Sequence, residues 1–318
     1  MKKIALIAAI GFGLSIAACS KLQESPNVVQ KSNKNSGDIQ PVSQKSIADY
    51  FAANPGSSET LKGDASKAIN LPTKSGALIM IYPGSLVDLD GNDITGEVTF
   101  HLQEFYTAED MIKANVQTLT DKGELLYSGG MFKLEVTQNG KTLRIKDGYR
   151  YGVQFSNTEN GMAPYMGVKD PDGSTKWAQR NDWLLQRDSS RGNNVIYLDS
   201  FTYCNLDGLG NFPDRTEMKA LADPSQVSLD MHVHLIFTAK RICSYLPGTS
   251  TPGEFYTGSH YDVPKGQEVK MVVYGIDDEG YLYWYDTVHT IGDNEEIQLP
   301  KLEKISESDW KARMAALK

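Results

Sequence analysis

Cysteine is scarce: three residues in a chain of 318, at Cys19, Cys204 and Cys243, with no C-x-x-C pair. Zinc ribbons and thioredoxin-like redox chemistry therefore have no support. No stretch is strongly basic, and acidic side chains outnumber basic ones by 40 to 32. Nucleic acid and anionic lipid head groups are accordingly poor partners. No apolar run reaches the roughly 20 residues that a permanent membrane-spanning helix needs. Also missing are an H-E-x-x-H helix, a G-x-S-x-G elbow and a glycine-rich phosphate loop, the local signatures of zinc hydrolysis, α/β-hydrolase chemistry and nucleotide binding.

What is present begins at the first residue. Met1-Lys2-Lys3 forms a short positive segment, and an apolar run follows from Ile4 to Ala18, interrupted only by small residues. This is the pattern of a secretion signal. It ends in Ile16-Ala17-Ala18-Cys19, a lipobox: a branched apolar residue, two small residues, then a cysteine whose thiol carries the lipid. Residues 1–18 are read as a lipoprotein signal peptide and Cys19 as the acylated residue. Ser20 follows it, with no Asp to favour inner-membrane retention, so the expected location is the outer membrane, with the lipid as the membrane contact. An ordinary signal peptide with a chance cysteine is the competing reading.

With Cys19 consumed by lipid, Cys204 and Cys243 are left as an even pair in an exported chain. A disulfide between them is expected, against the alternative of two buried free thiols.

The remaining length suits two domains and is too great for one compact β-sandwich. Residues 19–70 are read as the lipidated cysteine and a flexible tether, because Ser, Asn, Gln, Lys and Pro dominate its first half and bury little apolar surface. A short helix over Ser46–Asn54, stopped by Pro55-Gly56, breaks it. From Ala77 to Tyr82 the chain is continuously apolar. Glu97 to Glu104 alternates, with Val98, Phe100 and Leu102 on one face, as a half-buried strand does. Thr107 and Asp110 have capping spacing, as do Ser306 and Asp309 before a closing helix over Glu307–Leu317. Asn139-Gly140 and Asp277-Asp278-Glu279-Gly280 mark hairpin turns. The expected fold is all-β: two β-sandwich-like domains, residues 71–160 and 195–318, separated by a loop-rich junction over 161–194, with a short C-terminal helix.

Several of these segments carry a resemblance. Ile81-Tyr82-Pro83-Gly84-Ser85-Leu86-Val87-Asp88, Gly91, Gly96-Glu97-Val98 and Glu104-Phe105, then Ser128-Gly129-Gly130-Met131-Phe132 and Gln138-Asn139-Gly140-Lys141, and more loosely Phe201 to Asp207, look like modules of a family of exported Bacteroidota lipoproteins. The first module is also similar, more distantly, to the β-sandwich interaction domain of netrin receptors and ankyrins. The resemblance implies an exported β-sandwich protein and brings no activity or site residues.

Candidate chemistry is thin. Asp230, His232 and His234 share one face of a strand and have ligand types for a divalent ion, but alternation alone also predicts a polar, solvated face there, and no metal or cofactor is expected. Asp88, Asp90 and Asn92 begin like a calcium loop that then fails at its glycine and closing acid, so they read as a turn. Tyr281, Tyr283 and Tyr285 alternate with Leu282 and Trp284. Trp284 is the better core residue, which leaves the tyrosines as a possible docking face for a glycan or protein, or simply as good strand formers. The expected function is a membrane-anchored binding or structural component of the cell envelope, with an envelope glycan- or peptide-processing hydrolase as the alternative.

Overall fold

A computed structural model describes residues 39–318, apart from 157, 172, 189–192, 259, 260 and 318. The expected signal peptide (residues 1–18), the expected acylation site Cys19 and the first part of the expected tether lie outside the described residues. Strands account for 49% of the described residues and helices for 10%, which makes the fold all-β. Among the described residues no helix is long and apolar enough to cross a membrane.

The first module is a sandwich of two sheets. The larger sheet orders its strands Ser58–Asp64, Glu97–Glu104, Leu126–Gln138, Tyr203–Leu209, Ala163–Lys169, Thr175–Gln179 and Val116–Thr120. The smaller orders Leu184–Asp188, Asn193–Leu198, Tyr151–Phe155, Leu78–Ile81 and Ile69–Pro72, all antiparallel. Val98, Phe100 and Leu102 from one sheet meet Ile79, Val153 and Ile196 from the other in a common core, so the alternation seen in Glu97–Glu104 is the inward face of a sandwich.

In the second module, strands Ile242–Leu246, Asp230–Phe237, Glu268–Ile276, Leu282–Thr290 and Glu303–Ile305 form one sheet, and Glu254–Tyr256, Met218–Leu221 and Glu295–Gln298 another. Met218 and Ala220 pack there with Val233, Leu235, Val269 and Met271. The opposite face of the five-stranded sheet is buried too. Ile236, Val272, Tyr274 and Trp284 meet the helices Ile47–Ala53, Ala108–Lys113 and Glu307–Ala315 and, from the first module's large sheet, Leu126, Met131, Tyr165 and Trp177. The two modules therefore share a third core. Each helix starts at its sequence signal: Ser46, Thr107 and Ser306 each accept the N–H three residues on at 3.1 Å.

Two expected boundaries are corrected. Residues 161–194 are not a junction. They supply Ala163–Lys169, Thr175–Gln179 and Leu184–Asp188 to the first sandwich, with Trp177 and Trp183 in its cores. Polar composition misled there because these strands lie toward sheet ends, where backbone pairing needs no apolar side chain on the outer face. The tether likewise ends early, since Ser58–Asp64 is an edge strand pairing with Glu97–Glu104 from Ser58↔Gln103 to Asp64↔Glu97, with side chains only half-buried or exposed along its whole length. Polar edges of this kind resist further pairing.

Candidate functional site

The tyrosine hairpin forms as its sequence implies. Asp277 Oδ1 accepts the N–H groups of Glu279 at 3.1 Å and Tyr281 at 2.7 Å, closing the turn. Leu282 and Trp284 point into the shared core. Tyr281, Tyr283 and Tyr285 lie on the other face, all half-buried, and Tyr283 and Tyr285 pack against the second module's own core. Tyr283 donates to Asp277 Oδ2 at 3.0 Å. Burial and then that hydrogen bond push its phenol up to about 12. Lys304 holds its ammonium 3.4 Å from the Tyr281 ring centre and 5.5 Å from that of Tyr283. The stripe is thus a partly satisfied wall with one cation already on its rings.

Asp230, His232 and His234 do share a face, and it is solvated only in part: Asp230 and His232 are half-buried and His234 is buried. Asp230 Oδ2 accepts the Ile47 N–H at 2.6 Å, at the start of the first helix, and His232 Nε2 stands 3.5 Å from Asp230 Oδ1. His234 is buried, with Nε2 2.9 Å from the Tyr274 hydroxyl. Tyr274 stacks on both imidazoles at 5.6 and 5.5 Å. Burial, then the neighbouring His232, pushes the His234 imidazole down to about 3. The face is polar in sequence because it carries this interface, and among the described residues no group of three His, Cys, Asp or Glu is arranged to hold a metal. Asp88 is likewise committed to its own turn, accepting from Asp90 N at 3.0 Å and Asn92 N at 2.8 Å.

The expected disulfide does not form: Cys204 and Cys243 are both free and buried. Cys204 points into the first sandwich core, and Cys243 into the shared one. Each lies within a strand, Cys204 in Tyr203–Leu209 and Cys243 in Ile242–Leu246, but the strands belong to different sheets, and an even count carries no geometry. Burial raises the Cys243 thiol to about 12, so it is an unreactive, packed group. The cavity beside it, lined by Tyr106, Met111, Arg241 and others, has about 20 Å³ of room, enough for one water and no ligand. Maleimide labelling followed by mass spectrometry is expected to modify neither thiol in the native chain and both after unfolding without reductant. A mass showing Cys204 linked to Cys243 would reverse this assignment.

Two segments that carry the family resemblance meet across the large sheet. Ser128 lies opposite Asp207 and Met131 opposite Asn205, with a bulge between. Gly129 and Gly130 are required there. A side chain at Gly129 would strike the Leu206 carbonyl oxygen at 2.5 Å, and Gly130 holds φ +142° with the Tyr106 hydroxyl 2.6 Å from where its Cβ would be. The Asp207 carboxyl, fully buried, accepts from Gly129 N at 3.2 Å and from the Asn205 amide. Burial outweighs those donors and raises it to about 8. A carboxyl closed off in this way serves the fold rather than a substrate.

The surface that sequence reasoning missed is the outward face of the first module's small sheet. Strand register aligns two rows across its five strands: Leu184–Tyr197–Gly152–Met80–Asn70 and Gln186–Val195–Gln154–Leu78–Pro72. None of the apolar members belongs to any of the three cores. Leu184 is 55% exposed, and Tyr82, at the end of its strand, is 43% exposed. Neither row carries a charge, in a chain where 23% of residues do. Tyr82 donates to Tyr197, and Tyr197 donates to Gln186 Oε1 at 3.1 Å. The signal was present in Ala77 to Tyr82: an unbroken apolar run is the mark of a strand covered on both faces, and here only one face is covered by the described residues.

The class defined by this geometry is an all-β protein of two sandwich-like modules fused through a common core, with one sheet face left open by the described residues. Comparison with known families finds no match, and comparison with curated proteins finds none either.

Proposed function

We propose that the chain is a membrane-anchored binding component of the cell envelope, acylated at Cys19 and held at the outer membrane. The observation that carries the reading is Ile16-Ala17-Ala18-Cys19 directly after a positively charged start and an apolar run. A lipid on Cys19 leaves nearly 30 residues before the first described helix at Ile47, a segment rich in Ser, Asn, Gln and Lys and suited to hold the modules off the bilayer. The binding half of the reading is supported by the open face of the small sheet, because contiguous exposed apolar patches on soluble modules mark interaction sites. The resemblance to exported Bacteroidota lipoproteins points the same way. Feeding cells a labelled fatty acid is expected to mark the wild-type chain and leave Cys19→Ala unlabelled and uncleaved. Equal label on both would remove the anchor from the account.

A further inference from the structure

We infer that the core shared by the two modules is a joint: it opens as a unit while each sandwich core stays closed, and the buried Asp207 carboxyl makes it open more readily as pH rises. Two stretches of the described chain cross from one module to the other, residues 54–57 and 210–214, and both are irregular and carry proline and glycine. The helix Ile47–Ala53, before the first crossing, is held by Asp230 and Trp310 of the second module. Among the described residues no sheet runs across the seam. Thr118 Oγ1 donates to the Cys243 carbonyl at 3.1 Å and accepts the Cys243 N–H at 2.9 Å, and the Glu109 N–H donates to the Leu317 carbonyl at 3.2 Å.

Buried polar atoms without a partner gather on the first module's side of this seam: both amide atoms of Gln117, Thr175 Oγ1 and Asn205 Oδ1. Strand register puts them there. Thr175 lies opposite Val116, and Asn205 opposite Met131 and Tyr165. Paired residues share a face, and Val116, Met131 and Tyr165 belong to the shared core. Gln117 precedes Thr118 on a strand buried along its whole length. Each of these groups loses its water on closure without gaining a hydrogen bond, and regains it when the seam opens. Folded proteins hold few such groups, so their gathering in one seam weakens it against the rest of the fold. Openings of this size are sampled rarely and leave bulk unfolding cooperative.

Asp207 ties the seam to pH. It lies opposite Ala163, which packs against the shared core, and opposite Ser128. Its carboxyl accepts from the Gly129 N–H, the Asn205 amide and the Ser128 hydroxyl, all of them neutral. The titratable and charged groups that bear on it are Cys204 of its own strand, Tyr127 and Tyr165 of the flanking strands, and Arg241 of the second module. Arg241, the one cation among them, is exposed. Burial keeps the carboxyl protonated up to about 8, and opening returns it to the ordinary 3.8 with release of a proton. Opening therefore becomes about tenfold easier per pH unit as pH rises toward 8, and levels off above it. His234, on the second module's side, is neutral above 6.5 whether covered or solvated, so from there upward Asp207 acts alone.

The two thiols report the two kinds of core, Cys243 the shared one and Cys204 the first sandwich. The test is iodoacetamide alkylation of the purified full chain followed over hours, so that rare openings register where a short maleimide exposure finds neither thiol. Each cysteine's rate is divided by its rate in urea at the same pH, which removes the intrinsic titration of the thiol. Cys243 is expected to react at least tenfold faster than Cys204 on this scale, and its protection should fall by about fifteenfold from pH 6.5 to pH 8. Asp207→Asn, which cannot ionise, should abolish that fall. Ile196→Val, in the first sandwich core, should lower the protection of Cys204 by about fivefold and leave that of Cys243 unchanged, because the joint opens with the sandwich intact. Equal protection of the two thiols, or an Ile196→Val loss shared by both, means that whole-chain unfolding exposes them together and overturns the joint. A Cys243 protection that is flat from pH 6.5 to 8, or one that falls as steeply in Asp207→Asn, overturns the role of Asp207.

Discussion

Trp284→Ala is expected to destabilise the chain by about 3–5 kcal/mol, the range for truncating a buried aromatic, and Trp310→Ala by a similar amount. Both side chains are 1% exposed. They meet edge to face at 5.4 Å, with Tyr274 stacked on Trp284 at 6.0 Å and edge-on to Trp310 at 5.2 Å. Tyr50 of the first helix closes the cluster on Trp310 at 5.6 Å. One helix at each end of the described chain is thus joined to the second module's sheet through this aromatic cluster, beside the Ile47 N–H to Asp230 and Arg313 to Glu303 hydrogen bonds. Because the two tryptophans share that contact, the double variant should lose less than the sum of the singles. Their ring nitrogens separate them. Trp284 Nε1 donates to Asp286 Oδ1 at 2.7 Å, whereas the buried Trp310 Nε1 has no acceptor. Trp310→Phe should therefore cost less than Trp284→Phe, since it also removes an unpaired donor. Urea titrations followed by circular dichroism measure all of these. A loss under about 1 kcal/mol for Trp284→Ala would mean that the shared core is not where the stability lies. The same titrations should show one transition, not two, because that core joins both modules.

Which parts of this fold could be read from sequence follows from the physics of each signal. Helix starts were legible because capping is local: Ser46, Thr107 and Ser306 bond to their own third neighbours. The inward face of Glu97–Glu104 and the split between Leu282/Trp284 and the tyrosines were legible because a half-buried strand writes its two faces in alternate residues. Three things were not. Ser58–Asp64 has no apolar periodicity because backbone pairing with Glu97–Glu104 does most of the holding and only Leu61 reaches the core. His234 looks like a solvent-facing residue in a polar stripe, and only the helices that cover the stripe bury it. Cys204 and Cys243 match in number but point into different cores, and spacing along the chain cannot report that. The open face of the small sheet was hidden for the opposite reason: Leu78 and Met80 look like core residues in a run whose other half, Ile79 and Ile81, is core.

Stability should rise and then fall with pH, with opposite contributions from two buried groups. His234, pushed down to about 3 from an ordinary 6.5, is neutral when folded where the unfolded chain would protonate it. Its contribution is full above 6.5 and is lost as pH falls toward 3. Asp207, pushed up to about 8 from 3.8, is protonated when folded where the unfolded chain would ionise it. Its contribution is full below 3.8 and is lost as pH rises through 8. Each window is several pH units wide, and at about 1.4 kcal/mol per unit each group controls on the order of 5–6 kcal/mol. Between about 4 and 6.5 the two slopes oppose and cancel, and from 6.5 to 8 only the Asp207 loss is left. The local geometry suits a neutral acid. Asn205 Oδ1 is buried without a donor, and turning that amide over presents an acceptor to the protonated carboxyl. Asp207→Asn, which cannot ionise, should gain on the wild type steadily from pH 4 to pH 8 and hold a constant margin above that. His234→Gln should instead close its deficit against the wild type as pH falls from 6.5 to 3. Urea midpoints at unit pH steps read both differences directly, with the many exposed carboxylates cancelling between variant and wild type. Parallel profiles for Asp207→Asn and the wild type between pH 4 and 8 would show that Asp207 is already ionised in the fold, and that the donors from Gly129 and Asn205 outweigh its burial.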